Sequence, residues 1–223
     1  MRIAKFIASS GLCSRREAER LIERGEVCVN GEVLTTPAFK VSDQDDVLVS
    51  GKALPAPQKA KIWLFHKPRS VLTTRSDPEG RKTIYDFLPD DMQQLHHIGR
   101  LDYNSEGLLL LTNNGELKRH YEMPKTALER HYRVRMRGVP KERDLRQLRQ
   151  GITVEGVNYR PILAEIEQEG SNSWLKVILT EGKNREIRKV FEHLGHPVSR
   201  LIRLGYGEHA LGKLPAGKWK KAG

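Results

Sequence analysis

Three short segments hold the residues whose types and spacing could do chemistry. In His97–Leu111 a Gly99-Arg100-Leu101-Asp102 loop feeds a wholly apolar strand. Asp102 therefore sits just before a rigid buried element, where a reacting carboxylate can be placed accurately. On spacing alone a loop aspartate before a strand is more often a turn residue. Arg100, two residues earlier, reads as a phosphate contact or as a surface charge. In Arg130-His131-Tyr132-Arg133-Val134 an aromatic lies within a basic strand. Such a ring can stack on a base while its neighbours hold phosphates, or it can simply be a core tyrosine. In Thr180–Val190 a strand ends, Gly182 permits a tight turn, and Asn184 suits a helix cap. Arg185 and Arg188 are three apart and share a helix face. An arginine there can pair with a carboxylate and keep it ionised. The alternative is a helix with surface charges.

The composition narrows what those segments could serve. The chain has 223 residues, 38% of them hydrophobic and 30% charged. No apolar run exceeds that of Leu108–Leu111, far short of the roughly 20 residues a bilayer requires. Lysine and arginine number 39 against 28 aspartate and glutamate, a net charge of +11, and the pI is near 9.7. That surplus points to a polyanionic partner, nucleic acid first. It is unevenly placed. Residues 1–52 balance 8 basic against 8 acidic side chains, so residues 53–223 carry all of the excess. Leu128–Arg149 and Lys183–Arg203 are its two richest segments. Cys13 and Cys28 are too few for a metal cage or a disulfide framework and fit reduced cytosolic thiols. The first residues lack a signal peptide's apolar stretch, so the expected location is cytoplasmic. There is no phosphate-binding Gly-x-x-x-x-Gly-Lys loop, no His-Glu-x-x-His and no Gly-x-Ser-x-Gly elbow. No metal and no cofactor is expected.

The elements that must position these groups read as α+β. Ile3, Phe6 and Ile7 have helical spacing, and Ser14-Arg15-Arg16-Glu17 is a capping box for a second helix. Val27–Leu34 is a hairpin turning on Asn30-Gly31, followed by Val47–Val49. Ser50–Ala60 has little periodicity and reads as a linker. Beyond it, strands are expected at 62–66, 108–112, 131–137, 159–167, 174–180 and, last, 198–204. Helices are expected at 83–88, 140–150 and 184–194. The sheet should be mostly antiparallel. The expected organisation is residues 1–49, a linker 50–60, and a larger domain 61–223.

Taken together, Ile98–Leu108 resembles the catalytic motif of the RsuA/RluB-type pseudouridine synthases. Residues 1–49 resemble the S4 RNA-binding domain that precedes the catalytic domain in many of them. The resemblance spans nearly the whole chain, in the family's order. It implies isomerisation of uridine to pseudouridine in ribosomal RNA, without cofactor or metal. Under that resemblance Asp102 matches the essential nucleophile, and Tyr132 the tyrosine that packs on the target base. Arg188 matches the basic partner of the aspartate, and Ile187 the apolar residue beside it. Arg100, Lys183, Asn184 and Arg185, with Arg15 and Arg16 of the S4-like unit, are the implied RNA contacts. The similarity leans toward the branch acting on large-subunit (23S) RNA or a pre-ribosomal particle, with a monomer as the default and no membrane partner. Two other readings stay open. One is a synthase acting on small-subunit (16S) RNA. The other is a non-catalytic RNA-binding assembly factor, which would leave Asp102 without a task.

Overall fold

The computed structural model describes residues 1–42, 44–55 and 59–223; the centre of the expected linker, 56–58, lies outside the described residues. Helices α1 (Ile3–Ser9) and α2 (Arg15–Glu23) pack on a small antiparallel sheet. Its strands are β1 (Val27–Val29), β2 (Glu32–Leu34), β3 (Val47–Val49) and β4 (Lys52–Ala53), in the order β2-β1-β3-β4. Ile3, Ile7, Ala18 and Ile22 from the helices meet Val27, Val29, Val47 and Val49 from the strands in a core of their own. Asn30 and Gly31 take positive φ angles of 51° and 87°, as the two-residue hairpin turn requires. Ser50 and Gly51 repeat this, with φ of 48° and 76°, and return Lys52–Ala53 onto β3. The small sheet thus takes in residues read as the start of the linker. Ser14 caps α2 by accepting from the Glu17 amide at 3.2 Å. The reciprocal half of the expected capping box is absent among the described bonds, because the Glu17 carboxylate turns to Arg20 at 3.3 Å and Arg24 at 3.6 Å.

The rest of the chain builds one long mixed sheet. Its elements are β5 (Ile62–Lys67), β6 (His96–Ile98), β7 (Glu106–Thr112), α3 (Gly115–Glu122), β8 (Arg130–Arg137), α4 (Glu142–Gln150), β9 (Ile152–Val154) and β10 (Val157–Tyr159). They continue with β11 (Leu163–Gln168), β12 (Asn172–Leu179), α5 (Glu186–His193), β13 (Val198–Tyr206), β14 (His209–Ala210) and β15 (Trp219–Lys221). The path across the sheet is β11-β12-β8-β13-β7-β5-β15. Every named pairing is antiparallel except β13 with β7. The α+β expectation, with a mostly antiparallel sheet, describes this architecture.

Strand β7 is buried along its whole length. Leu109 and Leu111 enter the cluster shared by Val134, Met136, Val177 and Phe191, while Leu108 and Leu110 enter a second cluster with Tyr121 and Tyr206. A strand covered on both faces must be apolar throughout, which is why its sequence does not alternate. Strand β8 is covered on one face only and alternates accordingly.

Several boundaries differ from the sequence reading. Asn113-Asn114-Gly115 is no simple turn. The Asn114 carboxamide accepts from the amides of Glu116 at 2.9 Å and Leu117 at 2.8 Å and starts α3. Arg160-Pro161 separates β10 from β11, because a proline cannot donate to a ladder. Pro140 precedes α4 rather than forming its first turn, with Lys141 at the cap. Asn184 does not cap α5; that place is taken by Arg185 in a left-handed conformation with φ of 51°. The chain also continues past the expected last strand, returning β15 along β5.

The parallel junction sets a strict backbone requirement. Gly107 has φ of 108°, and an added Cβ would lie 2.3 Å from the Arg203 carbonyl oxygen. Gly107→Ala is expected to destabilise the protein by more than about 2 kcal/mol, through strain plus loss of the β7–β13 contact. Urea unfolding of the variant checks this; an unchanged midpoint would show that the junction yields easily.

Candidate active site

The loop carrying Asp102 spans β6 and β7, and it is held from beneath. Lys67, at the end of β5, is 0% exposed. Its ammonium donates to the carbonyls of Ser105 at 2.8 Å, Pro68 at 3.0 Å and Asp102 at 3.1 Å. An ammonium has three protons, so these contacts use all of its donors. Burial pulls its pKa down to about 8; the carboxylates of Asp102 and Glu106 oppose that pull, and Arg203 adds to it. Thr73 donates to the Leu101 carbonyl at 2.8 Å, and the Ser70 amide to that of Tyr103 at 2.8 Å. The loop backbone is therefore pinned on both sides of Asp102. The aspartate side chain is left one-third exposed, at 32%.

Two guanidinium groups face that carboxylate. Arg185 Nη1 lies 3.8 Å from Oδ2 and Arg188 Nε lies 4.0 Å from it. These are ion-pair separations, longer than a direct hydrogen bond. The Arg188 fork is fixed by its other nitrogens, which donate to the Val198 carbonyl at 2.9 Å and the Asn104 carbonyl at 3.3 Å. Its Nε is buried and without a hydrogen-bond partner among the described residues. Burial lowers the Arg188 pKa, Arg185 adds to the effect and Asp102 opposes it; a guanidinium stays charged regardless.

Asp102 opens onto a cleft of about 950 Å³. Tyr132, Ile187, Arg100, Lys183, Asn184 and Arg185 all line it, so the fold gathers these residues from three separate segments. Tyr132 is 9% exposed and belongs to the main core while also reaching the cleft. The ring is thus a core residue that also borders the cleft. Arg15 and Arg16 lie on exposed turns of α2. Arg15 bonds Glu19 at 3.2 Å, and Arg20 and Arg24 are likewise engaged by Glu17, so local pairing keeps the small unit near neutrality.

The sequence reading did not single out Lys67, Thr73, Arg130, Glu181, Glu186 or Arg203, all of which border the cleft or its loop. Arg130 donates to the Thr180 carbonyl at 3.1 Å and the Tyr206 hydroxyl at 2.9 Å, tying β8 to the turn before α5. In that turn two acids are buried together, Glu181 at 7% and Glu186 at 4% exposure. Glu181 accepts from the Arg160 amide at 2.8 Å and Lys183 Nζ at 2.6 Å. Glu186 accepts from the Lys183 amide at 2.9 Å, and its other oxygen lacks a conventional donor. The two carboxyls lie close enough that the Glu181 charge disfavours ionisation of Glu186. Burial, with Glu181 alongside, pushes the Glu186 carboxyl up to about 7. The only sequence signal for this pair was an unusual carboxylate pair flanking Lys183. Among the described residues no group of acids, histidines and cysteines could hold a metal ion, and no helix is long and apolar enough to cross a membrane.

A carboxylate at the rim of a cleft lined by Arg100, Arg130, Lys183 and Arg185 suits a polyanionic ligand. Known proteins narrow this further. Residues 61–193 match the RNA pseudouridylate synthase family, and residues 1–47 match the S4 domain. An uncharacterized RNA pseudouridine synthase of Rickettsia bellii is 45% identical over 99% of this chain and 96% of its own length. Ribosomal large subunit pseudouridine synthase B of Bacillus subtilis is 38% identical over 92% of this chain and 85% of its own. A crystal structure of a pseudouridylate synthase superposes with a TM-score of 0.72 at 26% identity, covering 100% of this chain and 96% of that one. The chain belongs to the RNA pseudouridylate synthase family.

The raised Glu186 pKa has a measurable sign. Glu186 holds its proton more tightly folded than unfolded, between its ordinary value of 4.5 and about 7. Folding stability should therefore fall as pH rises through that window and level off above it. Glu186→Gln, which cannot ionise, should remove this decline, on the order of 1–3 kcal/mol. Urea titrations of both proteins at pH 5 and pH 8 compare the slopes; parallel slopes would exclude Glu186 as the source.

Proposed function

We propose that the chain isomerises a uridine of large-subunit ribosomal RNA to pseudouridine, with Asp102 as its nucleophile. The observation that carries this reading is the Asp102 carboxylate, one-third exposed on a pinned loop and faced by Arg185 and Arg188 at 3.8 and 4.0 Å. The large-subunit target rests on the Bacillus subtilis relative.

The reaction moves no atom in or out of the nucleotide other than protons. The bond from the sugar C1′ to the uracil N1 breaks, the base turns, and C1′ bonds to C5. The C5 proton is lost to water and N1 takes one up. A carboxylate can serve by attacking C1′, by adding to the ring, or by removing a sugar proton on the way to a glycal. Each route needs the aspartate ionised and aimed. Arg188, its fork fixed by backbone carbonyls, supplies the positive field for that, and Arg185 adds to it from the rim. The target base must leave its stack, and Tyr132 offers it a new surface at the cleft floor, with Ile187 beside it. Arg100, Lys183 and Asn184 would hold flanking phosphates without reading sequence.

The division of labour is part of the proposal. Residues 1–49 hold RNA through the exposed face of α2, including Arg15 and Arg16, and residues 61–223 catalyse, with 50–60 joining them. The separate core of the first unit supports this.

Unmodified large-subunit RNA tritiated at uracil C5 should release tritium to water with the wild-type chain. Asp102→Asn should abolish release, and Arg188→Gln should slow it by about 10²–10³-fold. Release surviving in Asp102→Asn would remove the aspartate from the chemistry; none from any ribosomal RNA would favour a binding protein. Deleting residues 1–55 should raise KM at least about tenfold while largely preserving kcat at saturating RNA, as loss of a tether does. Equal KM values would deny the small unit an RNA-holding role.

A further inference from the structure

The cleft lies on one side of the β12–β8–β13 ladder, and the other side of that ladder is open. Helices α4 and α5 place Leu145, Leu148, Val190 and Phe191 in the same cluster as Tyr132, Val134 and Met136, so both helices cover the cleft side. Leu211 and α3's Tyr121 cover the opposite side only over β5, β7 and the end of β13. No described helix lies over the outward residues of β8 and β12.

Those residues are cationic. Arg133, Arg135 and Arg137 project outward from β8 at alternate positions. Successive ones stand roughly 6–7 Å apart, comparable to successive phosphates of an extended nucleotide strand. The register sets like charges directly opposite each other. Arg133 faces Lys176 of β12, and Arg135 faces Arg200 of β13. Directly opposed like charges destabilise a sheet. The outward positions of these three strands include no acid; on the edge strand β11, Glu165 stands directly opposite Lys176 and Glu167 pairs with Arg133. Two cations are partly neutralised. Arg133 bonds Glu167 and lies over the Trp174 ring, 4.4 Å from its centroid, while Arg200 bonds Glu106 at 2.6 Å. Arg135, Arg137 and Lys176 are exposed and make no ion pair among the described residues.

Away from the β11 edge, Arg135 and Arg137 are exposed without an ion pair among the described residues, unlike most arginines of α2. Opposed cations on adjacent strands are instead relieved by an anion laid across them. The Arg200–Glu106 pair joins this face to the start of β7, next to the Asp102 loop. We propose that the outward face of β8, β12 and β13 is a second RNA-binding surface. It takes the phosphate backbone of a segment of the same ribosomal RNA outside the cleft, reads no base, and rests on the function proposed above. The basic run of β8 thereby serves on both sides of the sheet, Tyr132 toward the base and the arginines toward distant phosphates.

The test uses the full chain and a large-subunit RNA transcript. Arg135, Arg137 and Lys176 are replaced together by Gln; none packs in a core or touches the cleft. The dissociation constant is measured across a salt series, and tritium release is followed in parallel. The triple variant should bind at least tenfold more weakly at low salt, with a salt slope smaller by about 2–3, one per lost phosphate contact. Its kcat at saturating RNA should be unchanged. Replacing the same positions so that charge is kept (Arg135→Lys and Arg137→Lys) should restore the slope. An equal loss of charge on α4, at Arg143, Arg146 and Arg149, should alter the slope less. Unchanged RNA affinity would overturn the proposal, as would equal effects from the α4 variant, which would mean diffuse attraction. If the wild type binds through this face but releases no tritium, the surface stands and the catalytic reading falls.

Discussion

The Lys67 ammonium beneath the Asp102 loop is the contact on which the site geometry depends. A buried charge is tolerated only when its hydrogen bonds are made. Here they are made to loop carbonyls, the Asp102 carbonyl among them. The lysine therefore fixes the aspartate's backbone and leaves its carboxylate unbonded by that ammonium. A lysine that reached the carboxylate itself would have held and occupied that side chain. Fixing the main chain instead makes the loop rigid and the side chain available.

The surrounding charges follow the same pattern. Arg188 has its fork committed to the Val198 and Asn104 carbonyls, so its position does not depend on Asp102. It acts on the carboxylate from 4.0 Å as a field rather than as a clamp. Next door, Arg203 is buried with its Nε on the Leu108 carbonyl at 2.7 Å and its guanidinium near the Tyr206 ring. Two cations, Lys67 and Arg203, are thus buried close to the aspartate, and both are held by backbone oxygens. The region beneath the loop is positive before any RNA arrives. The β7–β13 junction that brings Arg203 there is the same one that demands glycine at 107, so fold and electrostatics share one constraint.

The two units handle charge differently. On α2, Arg15, Arg20 and Arg24 are met locally, within a turn or two, by Glu17, Glu19 or Glu26. In the long sheet the cations come from strands distant in sequence, and acids there meet only some of them, such as Arg133 and Arg200. Residues 1–52 balance and the remainder does not, and the structure gives the reason: helical i to i+4 pairing is local, whereas cross-strand juxtaposition is not.

Much was legible in the sequence because it depends on near neighbours. The Asn30-Gly31 hairpin, the apolar stripe of α2, the alternation of β8 and the unbroken apolar run of β7 are all set by local sterics and by which faces are covered. Asp102 stands out as a candidate because its motif is contiguous, and Tyr132 and Arg188 are candidates through family resemblance. The start of α3 was obscured because Asn114 suits a turn as well as a cap, and β15 because three residues on an edge show no period. Lys67, Arg203 and the Glu181–Glu186 pair were hidden for another reason. Their environments come from carbonyls and side chains far away in the chain, and no spacing encodes whether a charged residue is buried. The sequence by itself determined most of the elements, the overall charge and the motif that carries Asp102. Only the tertiary structure decided which of the charges are buried, which face the cleft and which line the open side of the sheet, because desolvation and cross-strand contact exist only once the strands are paired.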